Sequence, residues 1–150
     1  MSAPTKPTVD ATSGQLATFR LDGDLYGVEV EHVQEVLKSQ GLTRVPLAPA
    51  AVAGLINLRG QVVTAIELRE RLGRPPRPEG TDAVVIVVRL HGEAVSLLVD
   101  SIADVVDVDA ADFEAPPDTL EGQARDLIRG AYKLDGQLLL ALDVQKAVSA

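Results

Sequence analysis

Apolar positions along this chain come in short runs broken by glycine, proline and charged residues. Such runs are too short for helices that cover a parallel sheet and suit strands instead. Three of the breaks share a pattern: Arg20-Leu-Asp-Gly-Asp24, Arg89-Leu-His-Gly-Glu93 and Lys133-Leu-Asp-Gly-Gln137. The central glycine accepts the positive φ that a two-residue turn demands, so each segment is read as a β-hairpin. Ala83 to Leu90 and Ala94 to Val99 are almost continuously apolar. Strands covered on both faces look like this, and these two are expected at the centre of the core. Ser101 to Val108 sets Ile102, Val105 and Val108 against Asp104, Asp107 and Asp109, which predicts a strand with an acidic exposed face.

Helical spacing is rarer. Glu31 to Lys38 places Val33, Val36 and Leu37 on one helical face and predicts a short amphipathic helix, with Gly41 as its stop signal. Leu42 to Val45 then reads as a strand ended by Pro46, and Pro49 to Ala53 as one turn of helix. Gln61 to Glu67 is a strand, Leu68 to Leu72 a helical turn closed by Gly73, and Arg74 to Gly80 a proline-rich linker. Asp109 to Gln123, with Pro116 and Pro117, reads as loop. Arg129 to Leu134 and Gln137 to Asp143 form the last hairpin, and Asp143 caps a terminal helix from Val144 to Val148. About ten strands and three short helices at this spacing predict small barrels in preference to a βαβ fold.

The stretch from Gly54 to Gly73 runs Asn57 and Arg59 through an apolar strand. Alternation puts Ile56 and Leu58 on one side and Leu55, Asn57 and Arg59 on the other, so a guanidinium ends a strand with buried flanks and needs an acceptor. Composition narrows the chemistry. The 150 residues carry a net charge of −8, which argues against nucleic acid and anionic membrane as partners. No cysteine is present, so thiolate chemistry is excluded, and no apolar run is long enough to span a membrane. Residues 1–14 are polar and read as a disordered arm; the remainder is expected to be a cytoplasmic domain.

No catalytic, cofactor-binding or metal-ligating set emerges. His32 and His91 lie far apart in sequence without local partners, and no nucleotide-binding, nucleophile-elbow or zinc motif occurs. Asp100, Asp104, Asp107 and Asp109 lack the glycine turn and closing glutamate of a calcium loop and read as a solvated acidic face. A small-barrel module for oligosaccharide or single-stranded nucleic acid would need exposed aromatics from Phe19, Tyr26, Phe113 and Tyr132. A small hydrolase would need a histidine in a pocket with carboxylates.

Taken in order, Phe19-x-Leu-x-Gly-x-x-Tyr-Gly27, Val33-Gln-Glu-Val36, Arg44-Val-Pro46, Gly54-Leu-Ile-Asn-Leu-Arg-Gly60, Ile66-Glu-Leu-Arg69 and Leu98-Val-Asp-x-Ile-x-Asp-Val105 resemble the CheW domain of bacterial chemotaxis over about residues 15 to 148. The resemblance implies a mainly β fold of two intertwined five-stranded SH3-like barrels sharing a hydrophobic core, with short peripheral helices, in a single domain over 15–150. It implies a non-enzymatic adaptor, without cofactor, that couples chemoreceptors to a CheA-type histidine kinase. One barrel would dock the kinase regulatory domain, and the groove between barrels would take the cytoplasmic tip of a methyl-accepting chemoreceptor. The adaptor would stay free of the bilayer, held at receptor clusters on its inner face; a chemotaxis-like pathway with a non-motility output is the near variant. By position, Glu35 and Arg59 look like the family's ion pair beside that groove. Val33, Val36, Gly54, Asn57, Ile102 and Val105 match positions lining or flanking it. Glu114 and Thr119 fall on a loop resembling a second kinase-facing edge. No kinase or receiver segment accompanies the domain, so a stand-alone adaptor is expected.

Overall fold

The computed structural model describes residues 13–38, 42–78, 80–120 and 122–149; most of the arm expected over 1–14, and the Gly41 stop signal, lie outside the described residues. In chain order the elements are β1 (Gly14–Leu21), β2 (Asp24–Glu29), a 3-10 turn (Val30–His32), β3 (Val33–Lys38), β4 (Leu42–Thr43), β5 (Val52–Leu58) and β6 (Gln61–Glu67). There follow α1 (Leu68–Arg71), β7 (Val84–Leu90), β8 (Glu93–Val99), β9 (Ser101–Val108), a second 3-10 turn (Ala110–Asp112) and β10 (Phe113–Glu114). The chain ends with α2 (Gly122–Leu127), β11 (Ile128–Leu134), β12 (Gln137–Leu142) and α3 (Val144–Val148).

Two sheets result, ordered β10-β11-β12-β2-β1-β9 and β3-β7-β8-β6-β5-β4. Leaving aside the two-residue strands β4 and β10, each holds five strands, as expected. The second sheet is one continuous stretch of chain inserted between β2 and β9 of the first, so the first closes only when distant segments meet. A parallel pairing of β12 with β2 joins its early and late strands, and β6 with β8 plays the same part in the second.

Alternation along the strands explains the apolar runs. On β12, Leu140 and Leu142 enter a core shared by both sheets, while Leu139 and Ala141 enter a separate cluster inside the first sheet. On β7, Ile86 and Val88 face the shared core, while Val85 and Val87 fill a cluster inside the second sheet. Both faces are buried, so both must be apolar. That inner cluster also gathers Leu37 from β3 and Leu58 from β5. Four strand spacings would hold those strands about 19 Å apart in a flat sheet. The sheet is rolled upon itself, because Glu35 of β3 and Arg59, just past the end of β5, meet at 2.6 Å. In the first sheet Val108 of β9 and Tyr132 of β11 likewise share one cluster.

All three expected hairpins form, with Asp22-Gly23, His91-Gly92 and Asp135-Gly136 at their tips. A fourth joins β5 to β6 through Arg59-Gly60, whose φ values of 53° and 88° match those of Asp22-Gly23, 52° and 88°. The expected helix over Glu31 to Lys38 is instead the 3-10 turn followed by strand β3. Val33, Val36 and Leu37 fit a helical face, but the segment pairs with β7 across a bulge between Val33 and Glu35, and its β-branched residues suit that edge. The helical turn expected over Pro49 to Ala53 is only a turn entering β5. The segment read as loop, Asp109 to Gln123, contains β10 and runs into the first residues of α2; α2 buries only Ala124 and Leu127, too little periodicity to betray a helix.

The proline-rich segment after α1 is pinned and does not act as a free linker. Arg69, buried at the head of α1, donates to Asp100 at 3.0 and 2.6 Å and to the Pro75 carbonyl at 2.8 Å. Arg77 bonds Glu67 at 2.7 and 3.2 Å and Asp100 at 3.2 Å, and Arg74 reaches Asp24 and, at 3.2 Å, the Tyr26 hydroxyl. Asp100 therefore does not belong to the solvated acidic face. These ions tie the tip of the β1–β2 hairpin to the second sheet. Among the described residues no helix is long and apolar enough to cross a membrane.

Candidate functional site: an ion-paired hairpin and two apolar sheet edges

Arg59 does not end a strand with buried flanks. It occupies the tip of the β5–β6 hairpin with its side chain 75% exposed, because the turn needs two residues at positive φ and places them beyond the ladder. It nevertheless has the acceptor its sequence context called for. The guanidinium grips Glu35 of β3 with both terminal nitrogens, at 2.6 and 2.8 Å, in a fork-to-fork pair. Glu35 is the more enclosed partner, at 18% exposed. The hydrogen bonds and charge of Arg59 hold the Glu35 carboxyl below its ordinary pKa against a smaller desolvation cost. The pair spans two strands at opposite ends of the rolled ladder and so locks the hairpin tip over β3.

Two other signature residues serve the same hairpin. Asn57 Oδ1 accepts the Gly60 N–H at 2.9 Å and braces the turn. Gly54 has φ 155°, and a Cβ there would stand 2.9 Å from the Thr43 carbonyl carbon and closer still to its oxygen. Only glycine admits β4 at that distance.

The apolar residues of the predicted site lie on the edges of the two sheets. Val33 is half-buried against the shared core. Val36 sits opposite Ile86 in the ladder, on the face that Ile86 turns to that core, yet is itself 44% exposed because β3 is terminal. On β9, terminal in the first sheet, Ile102 pairs with Phe19 and Val105 with Ala17, both of which pack in the shared core. Ile102 and Val105 are 41% and 55% exposed. The shared core thus runs out into solvent along one edge of each sheet. Val62 of β6, paired with Asn57 beside the hairpin tip, is a further exposed apolar residue that no motif singled out.

Glu114 is on β10, at the opposite end of the first sheet's ladder order from β9, and pairs with Lys133 at 3.1 Å. Thr119 lies in a turn bordering a cavity with Leu138 and Arg74. A further feature escaped sequence reasoning. Leu47, in the loop between β4 and β5, is fully exposed and adopts φ 64°, with Val45 exposed beside it. A leucine held in the left-handed region and out in solvent is costly on both counts.

Phe19, Tyr26 and Tyr132 are buried and Phe113 is half-buried, so the stacking platform that a sugar or single-strand binder requires is absent. The histidines fare differently: His32 and His91 line one cavity of about 240 Å³ together with Glu29 and Asp143. No serine or threonine lines it to serve as a nucleophile.

Comparison with known proteins bears on family and fold. The family model for the CheW-like domain matches residues 15–150. The chemotaxis protein CheW of Treponema pallidum (strain Nichols) is 31% identical over 91% of this chain and 82% of its own length. That of Bacillus subtilis (strain 168) is 30% identical over 88% and 85%. The crystal structure of scaffolding protein TtCheW from Thermoanaerobacter tengcongensis superposes with a TM-score of 0.77 at 29% identity, covering 87% of this chain and 89% of that one. In sequence and overall fold alike, this chain belongs to the CheW-like domain family.

Proposed function

We propose that the chain is a non-catalytic chemotaxis adaptor that holds the cytoplasmic tip of a chemoreceptor and the regulatory domain of a CheA-type histidine kinase at once. The observation that carries this reading is the pair of apolar sheet edges, β3 with Val36 and β9 with Ile102 and Val105, which prolong the shared core into solvent. An amphipathic helix from the receptor tip buries such a strip in the helix-in-groove mode. The Glu35–Arg59 pair and the Asn57-braced turn keep the hairpin tip in place beside it. The exposed Val45–Leu47 loop on the second sheet is assigned to the kinase domain, and Glu114 and Thr119 to a subsidiary kinase-facing edge. Two separate surfaces on one rigid body give coupling by tethering. The activity so described is cytoplasmic and concentrated at receptor clusters.

The test is a paired binding titration of the chain with a receptor-tip fragment and with the isolated kinase regulatory domain. Both bind in this reading, and Arg59→Ala weakens the receptor arm while sparing the kinase arm. Absence of binding in both arms sinks the adaptor assignment. If Arg59→Ala unfolds the chain, the ion pair is structural and the site assignment fails.

A further inference from the structure

We propose that the 3-10 turn Val30–His32 carries a site for a divalent transition metal of the zinc class, with Glu29, Glu31 and His32 as ligands and His91 as the fourth. The turn brings one ligand atom from each of Glu29, Glu31 and His32 within 4.8 Å of one another. His32 Nε2 already stands 3.3 Å from Glu29 Oε1, near the edge of about 3.4 Å expected for a tetrahedron of ligands around zinc. The remaining approach is a matter of side-chain rotation for an exposed glutamate.

His91 supplies the independent observation. It comes from the β7–β8 tip, far away in the chain, and it and His32 are the only two histidines in the sequence. Both line the same cavity with Glu29. The β1–β2 and β11–β12 tips put aspartate before their glycine, as Asp22 and Asp135, so the turn itself does not demand an imidazole. Charge points the same way. Glu29 and Asp143 line the cavity against the single guanidinium of Arg129, and Glu31 of the turn adds a third carboxylate beside Glu29 and His32, an acidic excess that a dication balances. Imidazole and carboxylate together favour zinc, nickel or copper, whereas magnesium and calcium prefer oxygen alone. A metal held here staples the turn that carries the chain from the first sheet into β3 to the tip of the β7–β8 hairpin.

The test uses the chain alone and does not depend on the adaptor reading. Zinc chloride is titrated calorimetrically and by competition with a chromophoric chelator, with magnesium chloride in parallel. One zinc per chain is expected, with no magnesium binding and a rise in melting temperature on adding zinc. His32→Gln, Glu29→Gln and His91→Gln are each expected to weaken zinc by about tenfold or more, the scale at which even indirect metal partners act, with circular dichroism unchanged. In the wild-type chain, cobalt(II) is expected to broaden the imidazole NMR signals of both histidines, a readout that needs no variant. Absence of zinc binding, wild-type affinity in His32→Gln or Glu29→Gln, or broadening of neither histidine overturns the site. Wild-type affinity in His91→Gln overturns the four-ligand assignment.

Discussion

Replacing Asp100 by asparagine keeps the shape of the side chain and removes its charge from the middle of the ionic network. Asp100 accepts from Arg69, Arg77 and the Asp22 backbone N–H at 2.8 Å. Burial by itself opposes ionisation there. The Arg69 hydrogen bonds, the Asp22 N–H and the charges of Arg69 and Arg77 more than offset it, and the pKa falls from 3.8 to about 2. Nearly two pH units correspond to about 2 kcal/mol of folding free energy favouring the ionised form. The carboxylate is 23% exposed, so solvent screening is modest, but Arg69 beside it is only 8% exposed. Stranding that buried guanidinium raises the cost toward the 3–5 kcal/mol range for breaking a buried pair. Asp100→Asn is therefore expected to lose about 2 to 4 kcal/mol at pH 7 by urea denaturation. Because the folded pKa is depressed, this stability is complete above about pH 4 and is lost as pH falls through about 2. Wild type and variant should converge over that window. A difference at pH 7 below about 0.5 kcal/mol, within the range of ordinary surface changes, or one that stays constant down to pH 2, would refute the reasoning.

Gly54→Ala should destabilise the domain by roughly 1–3 kcal/mol, read by denaturant melt, since the added Cβ meets the Thr43 carbonyl and φ 155° disfavours an L side chain. Leu47→Gly should leave the melting temperature unchanged or raise it, because glycine relieves φ 64°; binding to the kinase domain should fall, and retained affinity would remove that loop from the interface. Val105→Asp should weaken the receptor-tip complex in a binding titration with no loss of stability, as the side chain is already over half exposed. Lowering pH through the depressed Glu35 pKa should release Arg59 and weaken receptor binding in wild type, but not in Glu35→Gln, which already lacks the charge.

The motifs made the family and the strand-rich architecture legible, and the hairpins follow from local chemistry, since Asp-Gly and His-Gly tips write positive φ into the sequence. The Arg59-Gly60 tip was harder to see because arginine is an unusual residue for φ 53°, so the same turn read as a strand end. Glu35 as partner of Arg59 came through the resemblance; nothing in local spacing joins residues separated by a rolled sheet. The ionic network around Asp100 was invisible for the same reason: Arg69, Arg74 and Arg77 look like a charged linker until the segment folds back.

What the sequence determined by itself was whatever depends on neighbours along the chain: turn positions, the doubly apolar central strands, the Asp143 cap, and an acidic, aromatic-poor surface unsuited to nucleic acid. The tertiary structure decided what depends on a partner across space. Val33, Val36 and Leu37 satisfy a helix and an edge strand equally well as a pattern; pairing with β7 chose the strand, because Val85 to Val88 offered a ladder that no local helix in so short a segment could match. The same pairing turned Val36 from a core candidate into an exposed residue at the rim of the shared core, and so made an apolar edge in solvent from what the pattern alone reads as interior.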